Sequence, residues 1–204
     1  RETYPVRGID VSHHQGPIQW DTVANAPVHF AYIKATEGKD FTDRRFMENW
    51  QGAAGAGIVR GAYHFFTLRS PGKAQAAHFC SVVSVDDAAL PPAVDLEFAG
   101  NSAVRPTVPA FQKELGDFLD VLRSVYGKEP VIYTTRTFHS RYLREYPLPR
   151  LWYRSVVFKP FLESSSNWTF WQYSFRTTVP GIQGKVDQNV YRGDRASFRA
   201  FVAE

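Results

Sequence analysis

Two acidic residues with one residue between them, Asp95 and Glu97, carry the most specific chemistry in the chain. They lie in Pro92-Ala93-Val94-Asp95-Leu96-Glu97, a run that reads as a β-strand. Alternate residues of a strand face the same way, so both carboxylates leave one side and Leu96 the other. Two strand steps set them about 6.5–7 Å apart at the backbone. Like charges at that range, in a partly buried site, raise the pKa of at least one. The pair then holds a proton near neutral pH, as protonation of a glycosidic oxygen requires. An isolated Asp-x-Glu triplet usually marks a solvated strand face. Here the flanking Pro91, Pro92, Ala93, Val94, Leu96 and Phe98 are apolar, and burying two acids among them is costly without a function.

Three chemistries fit the pair. Double-displacement retaining glycosidases hold their carboxyls about 5–5.5 Å apart and inverting ones about 6.5–9.5 Å, and the strand spacing lies nearer the second. In the third, the sugar's own acetamido oxygen attacks the anomeric carbon. Asp95 would then orient the acetamido group and Glu97 would be the acid.

Other reactive patterns are sparse. Asp10 and Asp187 sit in short strand-like runs, where each is either a turn or cap residue or a neighbour of the catalytic pair. The tandem His13-His14 has no second cluster at ligand spacing, so a loop role is expected, with no metal and no cofactor. His64 follows Tyr63 on a strand and is expected to hydrogen-bond within the barrel. The glycines of Gly52-Ala53-Ala54-Gly55-Ala56-Gly57 suit close helix packing rather than a phosphate loop. A nucleophile elbow is missing. The single cysteine, Cys80, excludes an internal disulfide, and its setting in Ala76-Ala77-His78-Phe79-Cys80 suits a packed thiol.

The elements that would position these residues alternate in type. Strands are expected at Val6–Val11, His29–Ala35, Gly61–Phe66, Pro92–Glu97 and Pro130–Thr134, then near Leu151–Tyr153, Thr169–Tyr173 and Val186–Asn189. Helices are expected at Trp20–Ala26, at Arg44–Ala56, and after Ser70-Pro71, with serine as cap and proline in the first turn. A further helix carries Phe111, Leu115, Phe118, Leu119, Leu122 and Val125 at helical spacing and is closed by Gly127. Alternation of this kind implies a parallel sheet, and eight strands suggest a barrel. Function in such a barrel gathers at the C-terminal strand ends. Those ends carry Asp10, Glu37, Phe65, Asp95 with Glu97, Tyr133, Trp152, Gln172 with Tyr173, and Asp187.

Composition agrees with an ordinary globular chain. Its 204 residues suit one domain over 1–204, with 44% hydrophobic and 22% charged residues. Five Trp, ten Tyr and sixteen Phe exceed what a core needs and imply aromatics lining a groove. The net charge of +4 is scattered, which argues against nucleic acid and favours approach to an anionic polymer such as bacterial wall. No apolar stretch is long enough to span a membrane. The chain begins at Arg1 rather than Met, so an upstream signal peptide, anchor or domain is expected to have been removed.

Six blocks in register resemble the family 25 glycoside hydrolases, the Chalaropsis-type lysozymes. They are Gly8-Ile9-Asp10-Val11-Ser12 with Gln15-Gly16; Lys34-Ala35-Thr36-Glu37-Gly38 with Phe41, Asp43, Phe46 and Asn49; Gly61-Ala62-Tyr63-His64-Phe65; Asp95-Leu96-Glu97; Trp171-Gln172-Tyr173; and Val186-Asp187-Gln188-Asn189. The resemblance implies an α/β fold, a TIM-like barrel of five βα units closed by three further strands. It implies cleavage of the β-1,4 bond from N-acetylmuramic acid to N-acetylglucosamine in peptidoglycan, by a monomer that is secreted, periplasmic or at the cell surface. Glu97 would be the acid, and Asp95 would assist the acetamido group or act as nucleophile. Asp10 and Asp187 would shape the charge around them. Tyr63, Tyr133, Trp152, Gln172 and Tyr173 would contact glycan, and Glu37 and Phe65 join them as candidate contacts.

One departure stands out: after Leu151-Trp152 the family usually has a small aliphatic residue and Ala, where this chain has Tyr153-Arg154. Larger side chains there would narrow or recharge the cleft. The rival readings are a chitinase-like hydrolase, whose longer acidic motif Pro91 to Val94 do not match, and an inactive glycan-binding module, against which the four acids argue.

Overall fold

The computed structural model describes residues 3–160 and 168–204. Its elements run β1 (Arg7–Val11), α1 (Trp20–Ala24), β2 (Phe30–Glu37), β3 (Phe41–Thr42), α2 (Phe46–Gly55), β4 (Val59–Phe65), α3 (Gly72–Val82), β5 (Ala93–Leu96) and α4 (Val108–Tyr126). They continue with β6 (Val131–Thr135), α5 (Arg136–Phe138) leading into a π-helical turn at His139–Leu143, β7 (Leu151–Arg154), β8 (Trp168–Thr177), β9 (Val186–Tyr191) and α6 (Arg195–Ala203). The sheet order is β1-β9-β8-β7-β6-β5-β4-β2-β3, and a β1–β2 pairing closes the eight longer strands into the expected barrel. No helix among the described residues is long and apolar enough to cross a membrane.

Two apolar layers hold the barrel. Outward residues of the strands, such as Ile33, Val94, Leu96 and Ile132, pack with the helices, chiefly through Phe79 of α3 and Phe111, Leu115, Phe118 and Leu122 of α4. Each such fully buried side chain stabilises the fold by about 1.5–3 kcal/mol. Inward residues form an aromatic interior of Phe30, Tyr32, Tyr133, Trp152 and Phe170. Tyr32 stacks on Trp152 with ring centroids 4.8 Å apart. Those rings occupy the space a neighbouring side chain would take: a Cβ on Gly8 would lie 2.4 Å from the Phe30 ring, and one on Gly61 2.5 Å from Tyr32. At the end away from Asp95, Phe198 and Phe201 of α6 plug the barrel against Phe30 and Phe170. With strands covered on both faces, apolar residues run almost without a break through β2.

Four expectations need correction. The sheet is not all parallel, because β9 runs antiparallel to both β8 and β1. Ser70 does not cap α3. Pro71 occupies the cap position with no side-chain bond, and the Gly72 N–H donates instead to Glu114 Oε2 of α4 at 2.7 Å. The two helices approach so closely there that a Cβ on Gly72 would lie 1.8 Å from the Glu114 carbonyl oxygen. The first two helices are shorter than expected, at Trp20–Ala24 and Phe46–Gly55. Finally, β3, α5 with its π turn, and α6 were not anticipated. By contrast α4 begins at the Thr107 cap, whose hydroxyl accepts from the Ala110 N–H, and ends at Gly127 with φ +65°.

Candidate active site

At the C-terminal end of the parallel strands lies a solvent-open cleft with a cavity volume of about 250 Å³, lined by Asp10, Tyr63, Asp95, Glu97, Tyr133, Trp152, Arg154, Gln172, Phe175 and Asp187. Four acids therefore converge from three strands. Asp95 faces inward from β5, Glu97 follows directly after it, and Leu96 between them packs outward. Asp187 is the second residue of β9 rather than near its end. It reaches the same rim because β9 is antiparallel and pairs Asp187 with Asp10 across the ladder.

Beneath the acids lies an ordered polar chain. Asp10 Oδ2 accepts from Gln172 Nε2 at 2.9 Å and from Asn189 Nδ2 at 2.7 Å. Trp152 Nε1 donates to Asn189 Oδ1 at 2.7 Å, and Tyr133 OH donates to Gln172 Oε1 at 3.0 Å. Each amide oxygen is thus occupied by a ring donor, which leaves each amide NH₂ facing Asp10. Buried polar groups satisfied in this way hold one geometry. The backbone is also pinned: Asn101 Nδ2 donates to the carbonyls of Glu97 and Phe66, at 3.1 and 2.8 Å, tying the loops after β5 and β4 together.

Burial governs the acids' protonation. It pushes Asp95 well above the usual carboxylate range, and the charge of Glu97 adds to the effect. Glu97 is also raised by burial, with the Arg154 guanidinium pulling it back. Asp95 Oδ1 and Glu97 Oε2 are buried and have no hydrogen-bond partner among the described residues. Asp10 is raised by burial, partly offset by its bonds from Asn189 and Gln172. Asp187 is pushed up to about 8 by burial, by the charge of Asp10 and by a hydrogen bond with the Asp10 carboxyl. The cleft therefore holds protons at neutral pH, and the carboxyls titrate as a coupled set.

A pH dependence of stability follows from Asp187. Its folded pKa lies above the value near 3.9 of an unfolded Asp, so the folded chain keeps a proton that the unfolded chain releases. Its contribution is complete below the unfolded pKa and is lost as pH rises through about 8. Asp187→Asn keeps a donor for Asp10 and removes the titration. Its denaturant midpoint should fall less than wild type between pH 5 and pH 9. Parallel decline of the two proteins would show that Asp187 does not titrate in that window.

Three of the expected contacts stand away from the cleft lining. Glu37 pairs with Lys34 Nζ at 2.8 Å. Phe65 is buried, with its ring 5.0 Å from the same ammonium. Tyr173 faces the side of β8 opposite to Gln172, where its hydroxyl donates to Gln188 Oε1 at 2.7 Å and its ring packs on Trp171. Of the departure at 153–154, only Arg154 enters the cleft. Tyr153 is buried on the other face, with its ring 6.0 Å from His139. Phe175 enters because a register shift between Gln172 and Ser174 turns β8, and strict alternation does not foresee it. Asn189, fully buried, orders Asp10 with no signature in the sequence that marks that role.

The remaining motifs are structural. His64 lies between barrel and helices, bonded to Thr36 Oγ1 at 2.7 Å and Gln75 Oε1 at 3.1 Å. Burial lowers it to about 3, so it is neutral. His13 opens a 3₁₀ turn, with its backbone N–H and its Nδ1 both bonded to Asp43 Oδ2. Cys80 is half-buried and its thiol is raised by that burial. No group of three or more His, Cys, Asp or Glu among the described residues could hold a metal ion.

Comparison with known proteins places this geometry. The sequence pattern of Glycosyl hydrolases family 25 matches residues 9–182. Lysozyme M1 of Streptomyces globisporus is 37% identical over 217 residues, covering 98% of this chain and 72% of that protein. The structure of a family 25 glycosyl hydrolase from Bacillus anthracis superposes with a TM-score of 0.92 at 37% identity, covering 98% of this chain and 95% of that one. A bacterial lysozyme from Streptomyces coelicolor superposes at 0.86 with 34% identity, covering 98% of each chain. With the match spanning most of its length and both structures sharing its barrel, the chain belongs to glycosyl hydrolase family 25 and is a glycoside hydrolase.

Proposed function

We propose that residues 1–204 form one catalytic domain, a lysozyme that hydrolyses the β-1,4 bond between N-acetylmuramic acid and N-acetylglucosamine in peptidoglycan. The observation that carries this reading is the pair Asp95 and Glu97, buried side by side in a cleft that raises both. The relatives named as lysozymes support the substrate class. Glu97 acts as general acid toward the glycosidic oxygen and then as base toward water. Asp95 accepts the N–H of the sugar's acetamido group and steadies the ring that forms when the acetamido oxygen attacks the anomeric carbon. An amide N–H at Asp95 favours its charged form, so substrate binding moves the shared proton toward Glu97. Asp10, held by Gln172 and Asn189, orders the floor, and Tyr63, Tyr133 and Trp152 supply walls for the sugar. This work is done where peptidoglycan is exposed, so the reading includes export.

The protein should clear a suspension of purified bacterial walls, and excess chelator should leave the rate unchanged, since two carboxylates suffice. Binding to walls without clearing would replace this reading with a glycan-binding module. Loss of clearing in chelator, restored by a divalent ion, would replace it with metal-assisted hydrolysis.

A further inference from the structure

Arg154 is the basic residue that lines the cleft. It extends from β7 over Tyr133 of β6 toward Glu97 beyond β5. Its Nη1 lies 3.6 Å from Glu97 Oε2. That separation is too long for a hydrogen bond and short enough for strong attraction. The Phe175 ring holds it there, its centroid 5.3 Å from the guanidinium carbon, with Tyr133 beside it in the cleft lining.

We propose that Arg154 is the positioning residue of the acid, held by Phe175 at a distance that steadies the Glu97 carboxylate without capturing it. A bidentate guanidinium contact would pin Glu97 as a permanent carboxylate, unable to donate. With no cation nearby, the crowd of acids would hold the proton too firmly to release it to the leaving oxygen. A guanidinium one step beyond bonding range favours the carboxylate as it forms during proton transfer, which is where stabilisation accelerates the reaction.

The other charged and titratable groups around Glu97 come from every side of the barrel mouth. Asp95 lies beside it on β5, Asp10 on β1 and Asp187 on β9, and each disfavours a further negative charge. Lys34 on β2 favours the charge but is already paired with Glu37. Tyr133 on β6 and Tyr63 on β4 are raised far from neutrality and stay uncharged. Arg154 is thus the cation aimed at the acid, and it lowers Asp95 as well as Glu97.

The proposal rests on Glu97 being the acid, and the test keeps the two apart. Wall-clearing kinetics are measured from pH 4 to pH 9 for wild type, Arg154→Gln, Arg154→Lys and Glu97→Gln, with folding followed by thermal melting. Arg154→Gln should move the alkaline limb of kcat/KM upward by about one pH unit, the lower end of what a nearby opposite charge produces. It should also lower kcat at the optimum. Arg154→Lys keeps the charge and should return the limb to within a few tenths of wild type. If the Arg154→Gln limb stays in place while Glu97→Gln is inactive, the proposal fails and the acid assignment stands. A limb that moves equally in Arg154→Lys also overturns it, because charge is then not the cause. Activity retained by Glu97→Gln overturns the acid assignment and the proposal with it. Should Arg154→Gln fail to fold, the limb of Phe175→Ala decides: freed from its support, the guanidinium closes on Glu97, so the limb should move to lower pH, and an unmoved limb overturns the proposal.

Discussion

Glu97→Gln should lower the rate of wall clearing by about 10²–10⁴-fold, the span usual for loss of a positioned general acid. The change keeps the side chain's size and removes the proton it would give to the leaving oxygen. Glu97 Oε2 has no hydrogen-bond partner among the described residues, so the amide breaks no hydrogen bond and gives up only the 3.6 Å attraction to Arg154. The Glu97 carbonyl remains bonded to Asn101, and melting temperature and wall binding should stay close to wild type. Rate constants in cleared suspensions, with pull-down on intact walls, check both parts. Clearing at near wild-type rate would show that another group is the acid.

Asp95→Asn should cost about 10²–10³-fold, comparable to removing one preorganised electrostatic contact to a developing charge. Asparagine cannot carry the negative charge that opposes the positive acetamido-derived ring. The loss should fall mainly on kcat, because the charge is needed once the ring forms and less when substrate binds. Removing the like charge beside Glu97 should also narrow the coupled titration of the pair. Measured kcat and KM on a soluble muropeptide oligomer test this. A rise in KM with kcat unchanged would make Asp95 a binding residue and return the chemistry to Glu97 and water.

The sequence was most legible where one local rule decides. The apolar spacing of α4 and its Gly127 end follow from periodicity and cap chemistry, and both are present; the Thr107 cap at its other end comes from the structure alone. The shared face of Asp95 and Glu97 follows from strand alternation, and the structure puts both in one cleft with Leu96 behind. Legibility failed where a distant segment overrides the local signal. Glu114 of α4 caps α3 in place of Ser70. The reversed direction of β9 brings Asp187 to the rim from the start of its strand. The bulge in β8 admits Phe175, and Tyr173 stays on the other face. Asn189 and Asn101 had no visible signature, because a buried amide's role depends on which donors meet it in three dimensions. Arg154 was visible only as an unusual residue after Trp152. Its alternation with the inward Trp152 on β7 was the available clue that it enters the cleft.

The central claim is hydrolysis of the bond after N-acetylmuramic acid by Glu97 and Asp95, and the mass of the products tests it most directly. Lytic cleavage of the same bond needs one acid/base and closes the muramic 6-hydroxyl onto the anomeric carbon, giving an anhydro sugar. A second carboxylate beside the first suits delivery of water through an acetamido-derived ring. Purified peptidoglycan digested by the protein and analysed by mass spectrometry should therefore yield fragments with free reducing N-acetylmuramic acid ends, each one water heavier than the anhydro form. Predominantly anhydro ends would contradict the account.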